Sequence, residues 1–406
     1  MDHISVITKL FQHATSQMSR PHNQLALKEN QIVMGQVLKH FPEQKALIQV
    51  GNTKLVAQLE TSIDVMRKYW FKVKGSEQSV MNLKIVKQVE GNNHIHLAAA
   101  KDLLSLFQQQ TSKENMMLTN EFIKENIPIT KEQLMTAASL LNKMPKSDRM
   151  EAIQTIITAI KKDFPLTEVV VRSLKETQSN IPLAKQIHHL FNILQHDEHQ
   201  FPGSKQLSDL LTNFIHKQID FNVRENMKEL YSLKTSLILA SKEVLLPSLR
   251  EQIDQLVFRL NGQSLLYQDN GPTQEMISHI PLFMNNHQTD LTVQWNGKKQ
   301  ADGTIDPAFC RILFYLQLPK LKELMIDVQI QNRVMNITIR NNSGELSNKV
   351  ASYSNELKEA LNKMNFYVTS IQIKPFDEKD IPQGMNIEGS NFTHVTTSYK
   401  GVDLKI

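Results

Sequence analysis

Six residues between positions 188 and 199 have side chains that can bind a metal ion: His188, His189, His196, Asp197, Glu198 and His199. Imidazole and carboxylate are ordinary zinc ligands, but a tetrahedral ion needs several of them converging on one point. His189 and His196 stand seven residues apart, two turns along one helix face. The turn between them holds Asn192 and Ile193, neither a usual zinc ligand. His196 and His199 are three apart, yet Pro202 follows closely, where a helix should fail. The spacing therefore reads as a solvated helix end, and no metal or cofactor is assigned. His94 and His96 flank Ile95 and would share a strand face, but a pair of ligands is not a site.

A second chemistry is base stacking. Tyr69-Trp70-Phe71 lies among Lys68, Lys72 and Lys74, as a stacking platform on a small barrel would. On a strand, Tyr69 and Phe71 point one way and Trp70 and Lys72 the other, so one set must pack a core. Nucleic acid is the weaker of two partner classes, because the positive charge around these aromatics is modest.

The chain has no phosphate-cradling glycine loop, no His-Glu-x-x-His pair and no Gly-x-Ser-x-Gly nucleophile turn. No catalytic residue is assigned, and the expectation is a protein without enzymatic activity. Cys310 is the one cysteine and sits among Phe309, Ile312 and Phe314, as a small buried hydrophobe would. A single cysteine allows no internal disulfide, which suits a reducing compartment.

The elements that must position these residues follow from length and period. With 406 residues, 40% of them hydrophobic and 21% charged, the chain can fold into two or three domains with real cores. The net charge of +5 arises from 46 basic and 41 acidic residues with no dense basic block. Met1-Asp2-His3-Ile4 lacks the basic start and apolar run of a signal peptide, and no apolar stretch is long enough to span a bilayer. A soluble protein of the cytoplasm is expected.

Residues 1–24 read as an N-terminal tail. Over 25–92 the apolar period is two: Ile32–Leu38, Ala46–Val50, Leu55–Leu59, Tyr69–Val73 and Leu83–Val89 form five short strands. Five strands this short must close on themselves to avoid bare edges, giving a small barrel of the oligonucleotide-binding (OB) type. Residues 97–262 read as one helical domain. Thr130-Lys131-Glu132-Gln133 is a capping box. A related phrase recurs as Ile127-Pro128-Ile129-Thr130, Phe164-Pro165-Leu166-Thr167 and Ile181-Pro182-Leu183-Ala184, a shared device for starting helices. A last helix starts after Pro247, and Gly262 is expected to stop it.

Residues 285–377 form a C-terminal α+β domain, and 378–406 a polar tail. Apolar alternation marks strands around Leu291–Trp295, Ile312–Leu318, Ile326–Ile330 and Met335–Ile339. Asn332-Arg333 makes a tight hairpin link between the last two. Asn342 to Glu345 fits a helix-starting box. The helix after it carries Leu346, Val350, Tyr353, Leu357, Leu361 and Met364 as one apolar stripe, which should lie on the sheet. Tyr367–Ile373 closes the domain as a strand. The fold class is thus multidomain α+β: an OB-like barrel, an all-helical middle, and an antiparallel sheet with one long packed helix.

Within that last domain, Leu316, Leu318, Pro319 and Leu321, followed by Ile326, Val328 and Ile330, resemble the C-terminal domain of flagellar hook-length control proteins. The resemblance covers about 90 residues. It departs from the family at Lys322, where glycine is common, and in lacking a long Pro/Gln-rich N-terminal half. The resemblance implies docking on the cytoplasmic domain of an export-gate switch protein, which alters the substrate specificity of type III export and could extend to export of the chain itself. The partner contacts it implies are Leu318, Pro319, Leu321 and Leu324.

Overall fold

A computed structural model of the chain describes residues 27–376, apart from 62, 78–79, 90–94, 180, 197–200, 218–222, 266–267, 271–272, 285–286, 301–303 and 345. Residues 21–175 form one compact unit, and the chain from 176 onward forms a second. The helical stretch expected as a single domain over 97–262 is therefore shared between two units. Helical period shows where helices run, but not which core their apolar stripes enter.

In the first unit, β1 (Ile32–His40), β2 (Lys45–Val50), β3 (Thr53–Leu59), β4 (Lys68–Glu77) and β5 (Val80–Gln88) close a barrel in the order β1-β2-β3-β5-β4. Pairing of β1 with β4 shuts the barrel, and β3 runs parallel to β5. That is the OB-type arrangement expected from the short alternating strands. Gly35 in β1 is needed for closure: a Cβ there would stand 2.8 Å from Ile48 Cγ2 and 3.3 Å from Phe71 Cε2.

Five helices follow: α1 (Ile95–Leu106), α2 (Lys113–Lys124), α3 (Lys131–Lys143), α4 (Arg149–Lys161) and α5 (Glu168–Thr177). The unit boundary falls in the last turn of α5. The capping box at α3 is present, with Thr130 Oγ1 accepting from Gln133 N at 3.1 Å and Gln133 Oε1 accepting from Thr130 N at 3.0 Å. His96, expected on a strand, lies instead on α1. His96 is exposed on that helix, and His94 lies outside the described residues.

The second unit begins with α6 (Leu183–Leu194), α7 (Ser204–His216), α8 (Val223–Glu243) and α9 (Pro247–Leu265). α9 continues through Gly262 for three more residues. Gly262 is buried inside the helix, so burial there overrides its expected role as a stop.

A seven-stranded sheet follows: β6 (Gln268–Asn270), β7 (Thr273–Met284), β8 (His287–Lys299), β9 (Ile305–Leu318), β10 (Lys322–Gln331), β11 (Val334–Arg340) and β12 (Tyr367–Lys374). They lie side by side in chain order. The sheet thus starts well before residue 285, with the whole of β6 and β7 ahead of the expected domain boundary. Every pair is antiparallel except β11–β12, which is parallel because α10 (Leu346–Lys363) carries the chain back between them. Asn332 and Arg333 both adopt positive φ (49° and 65°), the tight turn whose twist suits a hairpin.

α10 does not bury its whole stripe. Leu346 is buried, and Leu361 packs on the sheet core of Val328, Ile330 and Ile337. Tyr353, Leu357 and Met364 remain 67%, 41% and 58% exposed. Half-buried Val350, Ser354, Lys358 and Leu361 mark the flank turned to the sheet, which is rotated away from the apolar seam.

Candidate functional site

Three places were candidates for chemistry, and the fold treats each differently. Tyr69, Trp70 and Phe71 are all buried. Tyr69 and Phe71 enter the barrel core, and Trp70 enters the helical core with Leu103, Phe122 and Ile153. The strand alternation was right, but both sides of β4 are covered, so these three rings offer no stacking platform. Of the histidine cluster, His188 and His189 lie on α6 and His196 just beyond it; Asp197, Glu198 and His199 lie outside the described residues. Asn192 Nδ2 donates to His188 Nδ1 at 3.2 Å. Among the described residues no group of three His, Cys, Asp or Glu side chains could hold a metal ion.

The third place is the turn between β9 and β10. Pro319 is exposed, Leu318 and Leu321 are half-buried, and Leu324 is buried. Lys322 closes the turn with φ +54°, so the positive φ that glycine commonly supplies is kept by a lysine. Buried Asn341 fixes the turn from behind. Its Nδ2 donates to the carbonyls of Leu321 (2.6 Å) and Glu323 (2.7 Å), while its Oδ1 accepts from Ser343 N at 2.8 Å. Every strong group on that amide is used. The apolar rim left outside is Leu318, Pro319 and Leu321; Leu324 belongs to the packing.

A fourth place, absent from the sequence reading, lies where α6 meets β7 and β8. The phrase that starts helices has threonine in its first two copies. Thr130 caps α3, and Thr167 Oγ1 accepts from Val170 N at 3.3 Å at the start of α5. In the third copy Ala184 replaces the threonine, and the N-cap of α6 is Pro182, which makes no side-chain cap bond. Asp290 of β8 supplies the acceptor instead: Oδ2 takes the Leu183 amide at 2.7 Å and Oδ1 the Ala184 amide at 2.9 Å. The missing threonine was the legible signal that a cap had to come from elsewhere.

Around that carboxylate are Arg259 of α9 and His279 of β7, both buried. Arg259 Nη1 donates to the carbonyls of Glu176 and Ser179, the latter at 3.1 Å. His279 Nδ1 pairs with Thr292 Oγ1 at 3.0 Å, and Gln263 Nε2 donates to the His279 carbonyl at 3.2 Å. Burial, reinforced by the Arg259 charge, pushes the His279 imidazole down to about 3, so it is neutral. Burial also pushes the Asp290 carboxyl upward, against the two amide bonds and Arg259, which pull it down. These groups line a polar cavity of about 70 Å³ together with Lys185, His287, Thr289 and Tyr315. It is well below the several hundred Å³ of an organic ligand site.

The chain is 21% identical to an uncharacterized protein of Bacillus subtilis (strain 168), YlqG, over 91% of its own length and 94% of the relative's. No protein-family profile matches the chain. No solved structure matches it.

Proposed function

We propose that this chain is a non-catalytic interaction protein of the hook-length control kind. Its C-terminal sheet unit docks on the cytoplasmic domain of an export-gate switch protein and alters which substrates type III export passes. The observation that carries the docking reading is the seam of α10, where Tyr353 and Leu357 stand in solvent on one helix face and Met364, in the turn just after it, extends the line. Large apolar side chains aligned on one face, beside a sheet that does not take them, are suited to a partner's groove or helix.

Support for this kind of partner comes from the order of elements after residue 305: strand, a Leu-x-Leu-Pro-x-Leu turn (Leu316 to Leu321), strand, hairpin, strand, helix and strand. The rim of Leu318, Pro319 and Leu321 is the contact that the resemblance carries over. Docking needs no covalent step, and it places the chain's work on the cytoplasmic side. No helix among the described residues is long and apolar enough to cross a membrane.

The test is co-purification of the full chain with the cytoplasmic domain of a gate switch protein. Leu357→Asp and Leu321→Asp should each abolish capture while leaving the circular dichroism and melting of the chain unchanged. Capture that survives both substitutions, or that never occurs with the wild-type chain, removes this reading.

A further inference from the structure

We propose that the cavity beneath α6 binds a small oxyanion, a carboxylate or a phosphate, through Arg259 and Lys185. Arg259 is 2% exposed. No described carboxylate lies within ion-pair distance of it. Asp290 and Glu176 act on its charge through space, but form no salt bridge with it. Two of its five N–H groups are accounted for by the carbonyls of Glu176 and Ser179, and its buried Nε has no partner. A buried guanidinium is ordinarily matched by an acceptor that uses its fork, and carboxylate and phosphate are the acceptors of that shape.

The neighbouring side chains leave that role open. Asp290, on the same wall, spends both oxygens on the amides of Leu183 and Ala184. His279 has its Nδ1 tied to Thr292, and His287 Nε2 pairs with the Gln317 carbonyl at 3.1 Å. Lys185 stands exposed at the rim and adds a second positive charge. Arg259 and Lys185 thus outnumber the one carboxylate of the lining, Asp290, and the buried His279 is neutral. The volume, about 70 Å³, accommodates roughly five water-sized groups. That matches acetate or phosphate in size.

The experiment follows thermal unfolding of the full chain against sodium phosphate and sodium acetate, with sodium chloride balancing ionic strength. A saturable rise in the midpoint with an oxyanion, absent with chloride, is expected. Lys185→Met, at an exposed position, should weaken the apparent affinity about tenfold, and Arg259→Met should abolish the response. A rise with phosphate alone assigns a tetrahedral ligand, and one with acetate alone assigns a carboxylate. A midpoint that follows ionic strength only, or the same response in wild type and Lys185→Met, overturns the proposal. Should Arg259→Met fail to fold, the Lys185→Met comparison alone decides.

Discussion

The amides of Leu183 and Ala184 open α6 beneath a proline that carries no acceptor, so the Asp290 carboxylate holds the start of that helix on the sheet. Replacing Asp290 with alanine strands two donors and deprives Arg259 of a compensating charge. The expected loss is about 2–4 kcal/mol, above that of an ordinary cap because the acceptor is charged and the site is closed. Urea unfolding of Asp290→Ala and Asp290→Asn measures it, with asparagine losing about half as much because it keeps one acceptor oxygen. An unchanged midpoint in the alanine variant would show that water caps α6 equally well. Lys322 offers a contrasting case, since its φ of +54° strains any residue with a Cβ. Lys322→Gly should stabilise by about 0.5–1 kcal/mol after the entropy of the unfolded chain is counted, and Lys322→Ile should destabilise by about 1–2 kcal/mol. A glycine variant less stable than wild type would mean that the lysine side chain makes a contact worth more than the strain.

At the scale of elements, Trp70 shows how a strand serves two cores. β4 sends Tyr69 and Phe71 into the barrel and Trp70 into the helices, so Trp70→Ala should cost about 3–5 kcal/mol. The measurement is chemical denaturation; a loss under 1 kcal/mol would mean that the helical core does not rest on this ring. The two-residue period made these strands legible, and closure followed from their shortness. Period carries no direction, however, and so the parallel β11–β12 pair departs from the antiparallel sheet expected of these strands. Nor does an apolar stripe say how far it will be buried: α10 turns its Leu361 flank to the sheet and leaves Tyr353 in water. The cavity was illegible for a different reason. Arg259, His279 and Asp290 come from three elements, and each alone looks like an ordinary surface residue in sequence. Only the alanine in place of a capping threonine hinted at them.

At the scale of the whole molecule, the two units should respond differently to acid, because His279 belongs to the second alone. Its imidazole takes a proton near 6.5 when unfolded and only near 3 when folded. Between those values the unfolded chain binds the extra proton. Stability of the second unit therefore falls as pH falls from about 6.5, by up to about 1.4 kcal/mol per pH unit. Asp290 acts in the opposite sense: its raised folded value favours the fold as pH drops toward 3.8, blunting the lower end of that window. Each unit holds one of the chain's two tryptophans, Trp70 in the first and Trp295 in the second. A Trp70→Phe background makes fluorescence report the second unit. Denaturation from pH 7.5 to 4.5 in that background, with and without His279→Gln, isolates the histidine, since all other titrations cancel in the difference. The variant should lose less stability below pH 6.5, by about one proton's worth of slope. Parallel pH curves for the two proteins would mean that His279 reaches solvent and protonates in the folded state. A closed site beneath α6 that holds His279 neutral would then have to be abandoned.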